Sequence, residues 1–145
     1  MAHMQPDSLG QGNARPPGPS TQAAFPTDGK AAGQARTYVR ELLAKEDPPL
    51  GDDTRDDVLL VVSELVTNAY RYGTEPGDSL LVAVRTTPTC VRVEVHDPRR
   101  RHPRLRTASG ERARGRGLHI VAALATRWGV EDRPFGKAVW AEVDR

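Results

Sequence analysis

Glu64, Thr67, Asn68 and Arg71 stand three or four residues apart in VLLVVSELVTNAYRYG, the stretch from Val58 to Gly73. At ~100° per residue, a helix would gather them within a sector of roughly 100°. A carboxylate, a carboxamide and a guanidinium along one helix edge suit phosphate chemistry. Glu64 can accept a proton, Asn68 can offer an oxygen to a hard Mg²⁺ ion, and Arg71 can offset phosphate charge. The competing reading is the solvated face of an amphipathic helix. Two features weigh against it: the strip is narrow, and Asn68 is a poor helix former seldom placed mid-helix for propensity.

The elements around the strip must hold it in place. Val58, Val61, Val62, Leu65, Ala69 and Tyr72 recur at helical period, and Leu59 and Val66 widen that face, so the helix should be largely buried. Asp52, Asp53 or Thr54 is expected to cap it, and Gly73 to close it. A first amphipathic helix is expected over Lys30 to Ala44, with Ala31, Ala35, Val39, Leu42 and Leu43 inward and Arg36 and Arg40 outward. A short strand at Ala24–Phe25 should precede it. Leu80 to Thr86 and Cys90 to Asp97 form a hairpin around Thr87-Pro88-Thr89. The second strand alternates Val91, Val93 and Val95 with Arg92, Glu94 and His96, which implies one buried and one wetter sheet face. His96 is expected on the solvent side.

Pro98 to Arg116 changes character, with eight arginines against one glutamate and no helical or strand period. A stretch that long is usually functional or disordered; a solvated loop and a mobile lid over a polyanion both stay open. Gly115-Arg116-Gly117 then opens a helix whose apolar face is Leu118, Val121, Ala122 and Ala125. Glycines ahead of a helix N-terminus let backbone N–H groups approach phosphate oxygens. Arg114 and Arg116 either contact phosphate or point to water. Trp128-Gly129 should end the helix, leaving Val130 to Arg133 and Ala138 to Val143 as the last hairpin. No Walker-type glycine-lysine motif occurs, and Ile120 stands where a dinucleotide fingerprint needs glycine.

ELVTNAYRYG resembles the N box of the GHKL (Bergerat-fold) ATPases, in the short bacterial form of the anti-sigma-factor serine/threonine kinases and related ATP-binding regulators. GRGL from Gly115, with the helix behind it, looks like the G2 box. Asp97 at a strand end corresponds to the G1 aspartate. The likeness covers Phe25 to Val143. It implies an α+β fold: a two-layer α/β sandwich of mostly antiparallel sheet with helices packed on one face. It also implies phosphoryl transfer from ATP with Mg²⁺. Asn68 would ligate the metal, and Glu64 would take the proton from an attacking serine hydroxyl or water. Asp97 would accept a hydrogen bond from the adenine amino group, with Arg71, Arg114, Gly115, Arg116, Gly117 and Leu118 around the nucleotide.

The implied partners are a sigma factor and a STAS-domain anti-anti-sigma factor, with a homodimer as the common assembly. Two departures from the pattern stand out. HDPRRRHP lacks the glycines that often follow the aspartate, and in GKAVWAEV Ala138 stands where threonine commonly follows Gly-Lys. The second removes a hydrogen bond worth roughly 1 kcal/mol, so weakened adenine binding is expected. Two functions therefore stand side by side: a kinase, and a non-catalytic binding module with a degenerate nucleotide site that acts by sequestration.

Composition narrows the rest. At 145 residues the chain has room for one real core. Residues 1–23, rich in Pro, Gly, Gln and Ser, are expected to be a flexible tail, with the domain over 24–145. A net charge of +2 gives no general case for nucleic acid, and the arginine stretch has no aromatic residue for base stacking. Cys90 is the single cysteine, so no internal disulfide forms, and no Cys/His spacing suits zinc. No apolar run approaches membrane-spanning length and no signal-like segment opens the chain. The expectation is a soluble cytoplasmic protein.

Overall fold

The computed structural model describes residues 20–72, 74–75, 77–97, 118–134 and 136–145. Most of the expected tail, Gly73 and the arginine-rich stretch lie outside the described residues. The elements run β1 (Thr21–Pro26), α1 (Ala31–Leu43), α2 (Asp52–Tyr72), β2 (Ser79–Thr86), β3 (Cys90–Asp97), α3 (118–124), β4 (Arg127–Arg133) and β5 (Gly136–Asp144). The strands form a five-stranded sheet in the order β1-β2-β3-β5-β4, each pair antiparallel. This is the expected α+β architecture.

Paired residues in an antiparallel ladder share a face, so register assigns the layers. Leu80, Val82 and Val84 of β2, Val91, Val93 and Val95 of β3, and Ala141 and Val143 of β5 make one buried row set. Against them pack Ala31, Ala35, Val39 and Leu43 of α1 and Val58, Val62, Leu65 and Val66 of α2. The two helical stripes thus meet the sheet on a single side, as their periodicity requires.

Four local expectations change. Strand β1 spans Thr21–Pro26 instead of Ala24–Phe25, because it pairs along its whole length with Ser79–Val84. The cap of α2 is Gly51, whose carbonyl accepts the Arg55 N–H at 3.0 Å; Asp52 and Asp53 lie inside the first turn, where the helix dipole favours carboxylates. Trp128 and Gly129 belong to β4 and face Ala141 and Trp140. Glycine is needed there, since an added Cβ would sit 2.9 Å from the Trp140 ring.

The fourth change concerns the outer sheet face. Arg92 and Glu94, expected to be wet, are 1% and 4% exposed. Arg92 donates from Nε to Glu94 at 2.8 Å and from Nη1 to Glu142 at 2.9 Å. Pairing of that quality offsets enough of the desolvation cost for charge to be buried on a sheet. His96 keeps its expected side, at 2.9 Å from Glu94.

Candidate functional site

α2 presents the polar strip as the sequence anticipates. Glu64, Thr67 and Asn68 are half-buried and Arg71 is exposed. Among the described residues, none forms a hydrogen bond or ion pair with the side chains of Glu64, Asn68 or Arg71. On the outer sheet face, by contrast, Arg92 is bonded to Glu94 and Glu142. Half-buried polar groups that leave their bonding capacity unspent are those a ligand can engage. Leu60, 44% exposed, lies one turn ahead of Glu64 on the same strip. Sequence reasoning missed it because a leucine in such a helix reads as core.

Asp97 closes β3 and is 7% exposed. Alternation from Val93 and Val95 puts it on the helix-covered face. Topology brings the strip to the same end of the sheet. α2 ends at Tyr72 and β2 begins at Ser79, and Leu81 pairs with His96, so the start of β2 lies beside the end of β3. The C-terminal turns of α2, which carry Asn68 and Arg71, therefore return to the sheet where Asp97 stands.

α3 supplies Leu118, which is half-buried, and Val121, which is fully buried in the core. At its other end the chain enters β4 at Arg127, opposite Glu142 at the far end of the sheet. Leu118 is thus the α3 residue farthest along the helix from that junction. Arg114, Gly115, Arg116 and Gly117 lie outside the described residues.

The strand after the Gly-Lys pair behaves differently from expectation. Lys137 is the residue opposite Asp97 in the β3–β5 ladder, so it shares that face. Ala138 pairs with His96, faces the outer side and is 0% exposed. The side chain at 138, where the pattern commonly has threonine, therefore faces away from Asp97. Lys137 is the neighbour that sequence reasoning overlooked, because a one-residue shift moves a strand side chain to the other face.

Among the described residues no cluster of three or more His, Cys, Asp or Glu can hold a metal alone. Mg²⁺ seldom needs one, since phosphates and waters complete its octahedron around one or two protein oxygens. Asn68, with Glu64 one turn before it, fits such sparse ligation.

Residues 25–143 match the family model of the histidine kinase-like ATPase domain. Among solved structures, the RsbU and RsbW domains of Rv1364c from Mycobacterium tuberculosis superpose with a TM-score of 0.64 at 22% identity, over 90% of this chain and 34% of that one. The chain thus spans about a third of that protein's crystallised length, and the likeness at this identity is one of fold. The histidine kinase domain of the blue-light activated histidine kinase from Erythrobacter litoralis EL346 matches more loosely, with a TM-score of 0.46 and 20% identity over 81% of this chain and 60% of that one. No curated protein matches the chain.

Proposed function

The chain belongs to the histidine kinase-like ATPase domain family, and from that premise we propose an ATP-dependent regulator that phosphorylates a serine or threonine of a STAS-type antagonist and sequesters a sigma factor. The observation that carries this is the unspent pair Glu64 and Asn68, half-buried on the helix that returns to Asp97. Asp97 offers an acceptor for the exocyclic amine of adenine in a largely apolar slot. The Asn68 carboxamide oxygen would hold Mg²⁺, which would supply neutralisation of phosphate charge, and Arg71 would offset what remains. Glu64 takes the proton of the attacking hydroxyl as its oxygen bonds the γ-phosphorus and the bond to the ADP oxygen breaks. The N-box likeness of ELVTNAYRYG supports the assignment of both roles. No helix among the described residues is long and apolar enough to cross a membrane.

Incubation with γ-labelled ATP and a panel of STAS-domain proteins tests the proposal. The native chain should label a partner. Asn68→Ala should lose both transfer and Mg-ATP binding, and Glu64→Ala should bind Mg-ATP while losing transfer. A native chain that gives no heat with Mg-ATP in titration calorimetry overturns it. One observation favours the alternative of a non-catalytic sequestering module: Lys137 puts a cation beside the adenine acceptor. In that case nucleotide binding is weak and partner binding is indifferent to Glu64→Ala.

A further inference from the structure

A cleft of about 350 Å³ opens where the outer sheet face meets the strand ends, within the size range of small-molecule sites. Its lining includes Ala24, Leu81, His96, Arg133, Pro134 and Gly136. Register places the side chains. Ala24 pairs with Leu81 and Leu81 with His96, making a row on the face away from the helices. Arg133, two residues beyond Glu131, follows the same alternation on β4. Asp97 borders the cleft, but its side chain belongs to the opposite face. Leu80 and Lys137, on the same face as Asp97, also line it, so the cleft wraps the strand ends, while its His96 and Arg133 side chains stand on the face away from the nucleotide strip.

Its chemistry is divided. Ala24, Leu81, Pro134 and Gly136 make an apolar floor, and His96 and Arg133 bring nitrogen donors. The Nε and Nη2 atoms of Arg133 are buried without a hydrogen-bond partner. Nη2 does lie 2.8 Å from a Glu131 oxygen, a close ion pair whose direction leaves the N–H unsatisfied. Buried donors in that state favour any acceptor brought to them. Glu94 stands 2.9 Å from His96 and 3.7 Å from Arg133, Glu131 lies beside Arg133, and Lys137 on the rim stands opposite Asp97, so the charges around the cleft are close to balanced. A single negative charge suits that balance better than a doubly charged phosphate.

We propose that this cleft binds a small monocarboxylate with an apolar body, its carboxylate on Arg133 and His96 and its body over Ala24 and Leu81. The test is an NMR titration of the ¹⁵N-labelled full chain with phenylacetate, 2-phenylethanol as the uncharged analogue and phenyl phosphate as the dianion. Phenylacetate should shift the amides of Leu81, His96 and Arg133 saturably, with affinity about tenfold or more above either analogue. Arg133→Gln should bring phenylacetate down to the alcohol's affinity. His96→Gln, on a different strand, decides the matter if Arg133→Gln does not fold. Saturating Mg-ATP should leave the phenylacetate shifts in place. No saturable shift, equal or tighter binding of either analogue, indifference to both substitutions, or displacement by Mg-ATP would each overturn the proposal.

Discussion

The guanidinium carbon of Arg92 lies 4.3 Å from the centroid of the Trp140 ring, on the sheet face opposite the helices. The indole in turn lies across Gly129 of the edge strand. Arg92 is thereby held between an aromatic surface and the carboxylates of Glu94 and Glu142, and Arg127 and Arg133 extend the network to Glu142 and Glu131. A β-sheet covered on one side by helices has in this way built a second, electrostatic layer from its own long side chains.

Arg92→Ala should expose the strength of that layer. It leaves Glu94 and Glu142 buried beside a lost cation, a defect of about 3–5 kcal/mol. Urea denaturation of the two proteins measures it. A loss under ~1 kcal/mol would mean that the glutamates find water or other cations without cost.

Gly129→Ala should destabilise by about 1–3 kcal/mol through overpacking. The added methyl would meet the Trp140 ring at 2.9–3.0 Å, and the same ring carries the Arg92 guanidinium 4.3 Å from its centroid, which limits its room to move. Thermal melting reads the loss, and a change in tryptophan fluorescence should accompany it.

Tyr38 gives a pH dependence. Burial pushes its hydroxyl above the ordinary value of 10.0, and Oη is enclosed without a hydrogen-bond partner. The folded state therefore holds the neutral phenol better than the unfolded chain does. That contribution is fully present below the unfolded value and is lost as pH rises through the higher folded one. The urea midpoint should fall above about pH 10, and Tyr38→Phe should remove part of the fall. Near neutral pH the same substitution should be neutral or stabilising, because it deletes an unsatisfied buried hydroxyl.

Lys137 and Ala138 should separate cleanly in nucleotide binding. Lys137→Ala removes the cation opposite Asp97 and should change Mg-ATP affinity several-fold, as titration calorimetry would show. Ala138→Thr should leave affinity unchanged, since its side chain faces away from Asp97. It should instead cost about 1–3 kcal/mol of stability, because the site is fully enclosed. A threonine at 138 that tightens nucleotide would contradict the register.

Much of this was legible in the chain itself. Val58, Val62, Leu65 and Val66 announce a buried helix by period, and Glu64 and Asn68 are fixed on its edge by the same count of residues. The valine alternation of β3 sets the inner face, and with it the side on which Asp97 stands. These are local facts, since a helix or strand converts spacing into direction without reference to the rest of the molecule. What tertiary structure decided were contacts between distant segments. Gly129 reads as a helix terminator until Trp140 is laid across it, and Arg92 reads as solvent-exposed until Glu142, fifty residues on, is paired with it. Lys137 rather than Ala138 meets Asp97 because ladder register is settled by which strands pair and how they align, a property of the whole sheet that no single strand encodes.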